Sequence, residues 1–211
     1  MAHLDLEEQE QLAQLKSWWA TYGNLIIMGL VLAALLFSGW QGWRFWQNSQ
    51  AGEASNQFEV LSKAAQGADA KAVRDASGEL LEKYPRTMYA SMGALSSARY
   101  FFDKGDLKTA KVQLQWVIDK STSDEFRDLA RLRLANVLLD EKAYDEALKL
   151  LETQHGAAFD AQYAAARGDV LVAKGQTADA RTAYKFALEK ADSKTRGLRE
   201  SVQMRLDALG G

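Results

Sequence analysis

Histidine, cysteine and clustered acidic side chains carry most of the chemistry in proteins, and this chain offers few of them in useful arrangements. It contains no cysteine and two histidines, His3 and His155. His155 stands between Gln154 and Gly156, in a pattern that indicates the solvated end of a helix. The lack of cysteine excludes disulfides, thiolate metal sites and cysteine catalysis.

The remaining candidate motifs have ordinary structural explanations. The sequence contains no HExxH, GxSxG or phosphate-loop pattern. The acid pairs Asp124-Glu125 and Asp140-Glu141 are typical of helix caps and solvated faces. Gly105 and Gly175 stand where helices should end and turn. We therefore expect a non-enzymatic protein with no catalytic residue, no cofactor and no metal site.

Charge is almost balanced along the chain. Four of the 28 acidic residues and two of the 26 basic residues precede residue 48, so the remainder carries 24 of each. A neutral domain has no basic footprint for nucleic acid, and no basic cluster lies beside the apolar run to bind anionic lipid. No nucleic-acid partner is expected.

The elements that must position any site begin with a long apolar run. Residues 23–47 read GNLIIMGLVLAALLFSGWQGWRFWQ, and no charged residue lies between Lys16 and Arg44. About 20 apolar residues cross a bilayer core of about 30 Å. The nine large aliphatic and aromatic residues of the run favour insertion by roughly 3 to 5 kcal/mol. The run has no polar stripe, which a soluble core helix would show.

The flanks of the run favour a retained anchor over a cleaved export signal. A signal needs a basic start and a small-x-small cleavage site, whereas residues 1–21 form a short acidic tail with an amphipathic end. Aromatic residues and a cation border the span on both sides, as in an interfacial belt. We predict a transmembrane helix over 22–46 in contact with the lipid bilayer. The predicted membrane-interface residues are Trp18, Trp19, Tyr22, Trp40, Trp43, Arg44 and Trp46. Because Lys16 and Arg44 balance each other, the positive-inside rule leaves the orientation open.

The rest of the chain, 47–211, reads as a helical repeat domain. Alanine and leucine recur at helical spacing, and Pro85 is the single proline. Three segments, 94–118, 131–152 and 164–191, share a second-helix alanine with a small residue twelve positions earlier. These repeat-packing residues are Ala98 and Ala110, Ala135 and Ala147, and Gly168 and Ala180. Successive alanines are 37 and 33 residues apart, near the 34-residue period of tetratricopeptide repeats.

Small residues at these positions let two antiparallel helices approach closely. The sequence therefore predicts an all-α fold: one N-terminal transmembrane helix, then a tetratricopeptide-like solenoid of helical hairpins. Its core repeats should cover about 88–191, with turns at Lys104-Gly105-Asp106, Glu141-Lys142 and Lys174-Gly175-Gln176. Flanking helices are expected over 53–84, broken near Gly67, and over 194–209.

Stacked hairpins form a concave groove lined by the first helix of each pair. The repeat register places the following residues there: Met92, Leu95, Arg99, Phe102, Leu132, Asn136, Leu139, Ala165, Asp169 and Val172. Among them, Phe102, Leu139 and Val172 would form an apolar strip for an extended or helical peptide. Internal packing of these residues, or cover by the flanking helices, remains an equal alternative. The Lys and Asn set of carboxylate-clamp repeats is not reproduced, so a cytosolic cochaperone is unsupported.

The acidic tail, the SWWATYGNLI and GWQGWRFW borders of the span and the repeat domain together resemble one family. This is the YfgM-like family, described as the ancillary subunit of the bacterial SecYEG translocon. The likeness covers essentially the whole chain, and YASMGALSSARYF and RLRLANVLL are among its best parts.

The resemblance implies a single-pass protein of the bacterial inner membrane, with a cytoplasmic N-terminus and a periplasmic repeat domain. It implies association with SecYEG and with a membrane-anchored periplasmic chaperone of the prolyl-isomerase type. Contact with unfolded, newly translocated chains would follow. The alternative is a structural scaffold or envelope-stress regulator whose groove holds one fixed partner and no clients.

Overall fold

The computed structural model describes residues 6–192 and 196–210. The chain divides into two compact units, residues 1–49 and residues 50–211, and each is described by itself. The predicted tail over 1–21 and the predicted helix over 194–209 therefore begin outside the described residues.

The described residues of the first unit belong to one helix, α1, which runs from Leu6 to Gln66 and so also supplies the first residues of the second unit. Its most apolar 18-residue window has a mean hydropathy of 2.0, and 6% of that window is buried. Within the described part of the chain it is the one helix long and apolar enough to cross a membrane. Such a surface is unfavourable in water and favourable in hydrocarbon.

Aromatic residues form contacts along α1 at both ends of the apolar run. The rings of Trp18 and Tyr22 lie 5.8 Å apart, and those of Trp43 and Trp46 lie 5.4 Å apart. The guanidinium of Arg44 stands 5.5 Å from the centre of the Trp40 ring. These rings, and that of Trp19, are about half exposed. Amphipathic rings in two bands suit the two interfaces of a bilayer.

The second unit is built from the end of α1 and eight further helices among the described residues. They are α2 (Ala70–Lys83), α3 (Met88–Asp103), α4 (Leu107–Lys120), α5 (Asp124–Asp140), α6 (Tyr144–Leu151), α7 (Asp160–Ala173), α8 (Thr177–Lys190) and α9 (Arg196–Ala208). A 3₁₀ turn, Ala157–Phe159, precedes α7. Side chains of Asp69, Thr87, Asp106 and Ser123 cap the first amides of α2, α3, α4 and α5.

Consecutive helices pack as hairpins: α3 with α4, α5 with α6, and α7 with α8. The first helices of successive pairs also touch, since α3 contacts α5 and α5 contacts α7. This arrangement places the first helices side by side along one face, as in a solenoid. The predicted all-α fold of a long apolar helix and tetratricopeptide-like hairpins is confirmed.

The three hairpin turns have one geometry. Gly105, Lys142 and Gly175 have φ values of +76°, +61° and +81°. In each turn the following residue donates its amide to the carbonyl five residues earlier, at 2.8 to 2.9 Å. This bonding satisfies carbonyls at the helix end and favours glycine, which adopts positive φ without strain. Lys142 adopts the same conformation with a side chain.

The six small residues of the repeat register are all buried, at the contacts between paired helices. The tightest contact is at Gly168, where an added Cβ would lie 2.3 Å from a ring carbon of Tyr184. Tyr184 is 2% exposed and fills the space that Gly168 leaves. Close approach of α7 and α8 therefore depends on the glycine.

The short helix α6 is followed by a segment held by a buried carboxylate. Asp128 is 3% exposed, and its oxygens accept hydrogen bonds from Arg131 at 2.7 Å and from the Gly156 amide at 2.9 Å. Tyr163 donates its hydroxyl to the Asp128 carbonyl at 3.1 Å, and burial raises the pKa of Tyr163 to about 12. The bonds from Arg131 and Gly156 satisfy a carboxylate charge that would be costly to bury alone.

Candidate functional site

A pocket of about 290 Å³ lies on the face where α3 meets α5. Four of its residues come from α3, one from α4 and three from α5. They are Ala98, Arg99, Phe102, Asp103, Leu114, Arg133, Asn136 and Val137. The pocket therefore belongs to the face formed by the first helices of two successive hairpins.

The repeat pattern explains why a pocket exists here. Ala98, Leu114 and Val137 are each at most 2% exposed and form its apolar base. Ala98 is one of the small residues that allow α3 and α4 to pack closely, so its own side chain leaves space above it. Phe102 is partly exposed and adds an aromatic wall. An apolar base with a few polar groups around it is typical of a binding site.

The polar rim of the pocket carries more positive than negative charge. Arg99 Nε lies 3.1 Å from Asp103 Oδ2, so these two neutralise each other. Arg133 donates from Nη1 to the main-chain carbonyl of Leu95 at 3.1 Å. Within the described ranges, 6–192 and 196–210, Arg133 forms no ion pair with a carboxylate. Asn136 is exposed and can both donate and accept.

Burial and a like charge both act on Arg133. Loss of hydration is the main cause that lowers its pKa below the usual value, and the nearby charge of Arg99 lowers it further. The guanidinium remains charged, because arginine keeps its proton throughout the physiological range. A partly buried cation beside another cation gains free energy when an anion approaches.

Three of the predicted groove residues come together in this pocket: Arg99, Phe102 and Asn136. Leu95 and Leu132 are 5% and 9% exposed and pack in the central core, which buried residues of α3 to α7 form together. The structure therefore favours internal packing for these two leucines. Each lies on the face of its helix that packs against neighbouring helices.

The other predicted groove residues lie outside the pocket lining. Met92 and Leu139 are partly exposed, and Leu139 packs against the central core. Ala165 is 3% exposed, in the core shared by α7, α8 and α9. Val172 is 39% exposed on α7. The expected strip of Phe102, Leu139 and Val172 therefore contributes one residue, Phe102, to this pocket.

Asp169, also predicted for the groove, has two partners in the structure. Arg205 of α9 binds its two carboxylate oxygens at 2.8 and 2.6 Å, and the Tyr184 hydroxyl donates to it at 2.7 Å. Burial and this hydrogen bond raise the pKa of Tyr184. Helix α9 therefore neutralises the α7 position that corresponds to Arg99 and Asn136.

Two charged residues of the pocket, Arg133 and Asp103, were not predicted from the sequence. A usable signal for Arg133 was its position two residues before Ala135, where the other repeats have Ser96 and Ala166. A charge that appears in one repeat and not in its equivalents points to a local role rather than to the shared packing pattern.

A second pocket, of about 650 Å³, is lined by residues of α6, α7, α8 and their connections. It includes His155, whose ring stacks on Tyr163 with centroids 3.8 Å apart and whose Nε2 lies 3.4 Å from Asp160. His155 is thus packed on the fold, not a freely solvated helix end as expected. Among the described residues, no three His, Asp or Glu side chains form a group that could hold a metal ion.

Comparison with known proteins gives one consistent result. The tetratricopeptide repeat-like domain family matches residues 16–211. An ancillary SecYEG translocon subunit of Neisseria gonorrhoeae is 34% identical over 97% of this chain and 98% of its own length. Proteins of the same name from Haemophilus influenzae and Escherichia coli are 30% and 29% identical, over 86% and 96% of this chain and 89% and 96% of theirs. No solved structure matches significantly.

Three observations agree with one another. They are the helical hairpins with the repeat register, the N-terminal helix apolar enough to cross a membrane, and the relatives aligned over nearly the whole length. The chain belongs to the family of ancillary SecYEG translocon subunits, with a tetratricopeptide repeat-like domain.

Proposed function

We propose that this protein is a non-enzymatic subunit of the SecYEG translocon, anchored in the bacterial inner membrane by α1. Its N-terminus lies in the cytoplasm and its repeat domain in the periplasm. There the domain binds chains that leave the channel and passes them to a membrane-anchored periplasmic chaperone of the prolyl-isomerase type. The observation that carries the proposal is the partly apolar pocket between α3 and α5.

The pocket supports a binding role because it combines an apolar base with hydrogen-bonding groups that suit an extended chain. Phe102 provides apolar area, while Asn136 and Arg133 can bind main-chain or side-chain oxygens. A site of this size engages a few residues at a time, which gives weak and broad recognition.

Membrane anchoring makes weak recognition sufficient. A binding site tethered near a channel exit meets emerging chains at an effective concentration in about the millimolar range. Affinities in that range allow rapid release, which a subunit that hands chains onward requires. The apolar surface of α1 supports the tether, because 6% of its most apolar 18-residue window is buried.

Single cysteines test the proposed orientation in this cysteine-free chain. Gln11→Cys lies before the apolar run, and Ser49→Cys and Glu189→Cys lie after it, all at exposed positions. Intact cells are treated with a thiol reagent that crosses the outer but not the inner membrane. We expect labelling at 49 and 189 and protection at 11 until lysis. Protection at 49 and 189 would place the domain in the cytoplasm and refute the proposal.

A competition experiment separates the client-binding role from the alternative of a scaffold with one fixed partner. The full-length protein in detergent is mixed with the soluble domain of the chaperone and an unfolded exported protein. Transfer predicts that both bind and that the chaperone domain displaces the unfolded chain. A scaffold or stress regulator predicts stable binding of one partner and no binding of the unfolded chain.

A further inference from the structure

The pocket between α3 and α5 carries one charge, on Arg133, that forms no ion pair with a carboxylate among the described residues. Arg133 is partly buried, and its hydrogen bond to the Leu95 carbonyl uses one of five N–H donors. Asp103 pairs with Arg99, so the three charged side chains of the pocket leave one positive charge.

The repeat register indicates that this arginine is not needed for packing. Arg133 lies two residues before Ala135, and the equivalent positions before Ala98 and Gly168 hold Ser96 and Ala166. Both of those hairpins pack with their small residues buried and no charge at this place. Arg133 therefore adds a positive charge to the α3–α5 pocket, and the packing of the helices does not require that charge.

The position of Arg133 beside Arg99 is unfavourable in the free protein, although the ion pair of Arg99 with Asp103 offsets part of the repulsion. Two guanidinium groups repel each other, and partial burial removes some of the water that would screen them. An anion that binds between or beside the two guanidinium groups relieves this repulsion and forms charged hydrogen bonds with them. Arg99 donates from Nε to Asp103 at 3.1 Å, and in the described part of the chain the hydrogen bond of Arg133 goes to the Leu95 carbonyl and not to a carboxylate.

We propose that the pocket binds an acidic side chain, aspartate or glutamate, of an extended segment, with an adjacent apolar side chain against Phe102. Arg133 forms the charged hydrogen bonds to the carboxylate, and Asn136 binds the neighbouring main chain. This inference rests on the proposed function, because a chain that leaves the translocon supplies the acidic segment. A chain crossing a channel presents internal side chains rather than a free C-terminus.

Two labelled peptides differing in one group test this directly with the full-length protein in detergent. The first is acetyl-Gly-Ser-Leu-Asp-Leu-Ser-Gly-amide, and the second has asparagine in place of aspartate. Binding is followed by fluorescence anisotropy at low salt. We expect the acidic peptide to bind at least tenfold more tightly. Equal affinity would overturn the proposal.

Variants then assign the preference to Arg133. Arg133→Gln should weaken binding of the acidic peptide about tenfold and remove its advantage over the asparagine peptide, and an unchanged circular dichroism spectrum of the variant shows that the domain is folded. Arg133→Lys should retain part of the preference. Arg86→Gln, which removes an exposed arginine outside the pocket, should behave as wild type. A preference that survives Arg133→Gln would refute the assignment.

A third peptide distinguishes the source of the carboxylate. It carries asparagine at the centre and a free C-terminal carboxylate. We expect it to bind no better than the amidated asparagine peptide, and equal binding with the acidic peptide would overturn the choice of an internal side chain. These outcomes are independent of the membrane labelling experiment. An acidic preference with a cytoplasmic domain would refute the proposed function and keep the ligand chemistry.

Discussion

Two places in the solenoid share one repeat position and differ in what surrounds it. On α3 and α5 the residues after Ala98 and Ala135 are Arg99 and Asn136, which line an accessible pocket beside Arg133. On α7 the equivalent Asp169 is bound by Tyr184 and by Arg205 of α9. The comparison shows that helix α9 closes one end of the face, whereas the α3–α5 pocket keeps a cation, Arg133, that no carboxylate among the described residues neutralises.

The closed end should be sensitive to added volume, and the largest effect is expected at Gly168. Gly168→Ala forces a methyl group against the Tyr184 ring, 2.3 Å from one of its carbons. We expect the free energy of unfolding to fall by about 2 to 3 kcal/mol, measured by urea denaturation in detergent. Gly78→Ala is the control, because a Cβ there meets no atom within 4 Å. It should stabilise α2 by roughly 0.5 to 1 kcal/mol, and equal effects of the two would contradict the account.

The same end should lose stability in alkali. Burial, with the hydrogen bond to Asp169, raises the pKa of Tyr184, so the unfolded state loses this proton first as the pH rises. The contribution of Tyr184 is therefore complete below about pH 10 and is lost above it. Above pH 10, stability should fall less steeply in Tyr184→Phe than in wild type, by up to about 1.4 kcal/mol per pH unit. Parallel curves would show that the hydroxyl does not titrate as described.

Removing the cation that binds Asp169, Arg205, should lower the free energy of unfolding by a smaller amount. Arg205→Ala removes two hydrogen bonds to Asp169 from a site whose side chains are 41% and 28% exposed. Because water screens a pair this exposed, we expect a loss of about 1 kcal/mol in the free energy of unfolding. Arg196→Ala, at an exposed position on the same helix, is the control and should change stability by less than about 0.5 kcal/mol. Equal losses would mean that the contact with Asp169 contributes nothing.

The sequence predicted the hairpins well because their packing depends on local rules. The spacing of Ala98, Ala135 and Gly168 from their partner alanines determines where helices can approach, and the turn residues Gly105 and Gly175 mark the helix ends. These features repeat, so each instance supports the others.

The pocket was harder to predict because it depends on how helices are rotated against one another. Small residues locate the contact between two helices of a hairpin, but one residue along a helix is a rotation of about 100°. The register therefore placed Leu132 in the groove, whereas the adjacent Arg133 lines the pocket and Leu132 packs in the core. Asp169 and Arg205, 36 residues apart, meet only through the packing of α9.

The most direct test of the central claim is site-specific photo-crosslinking in cells that are exporting a labelled protein. A crosslinking residue is placed at Asn136, in the pocket, and at Val172, the exposed apolar position at the closed end. We expect crosslinks to the exported chain from position 136 and few from position 172. No crosslink from 136, or equal crosslinks from both, would contradict the claim that this pocket receives translocated chains.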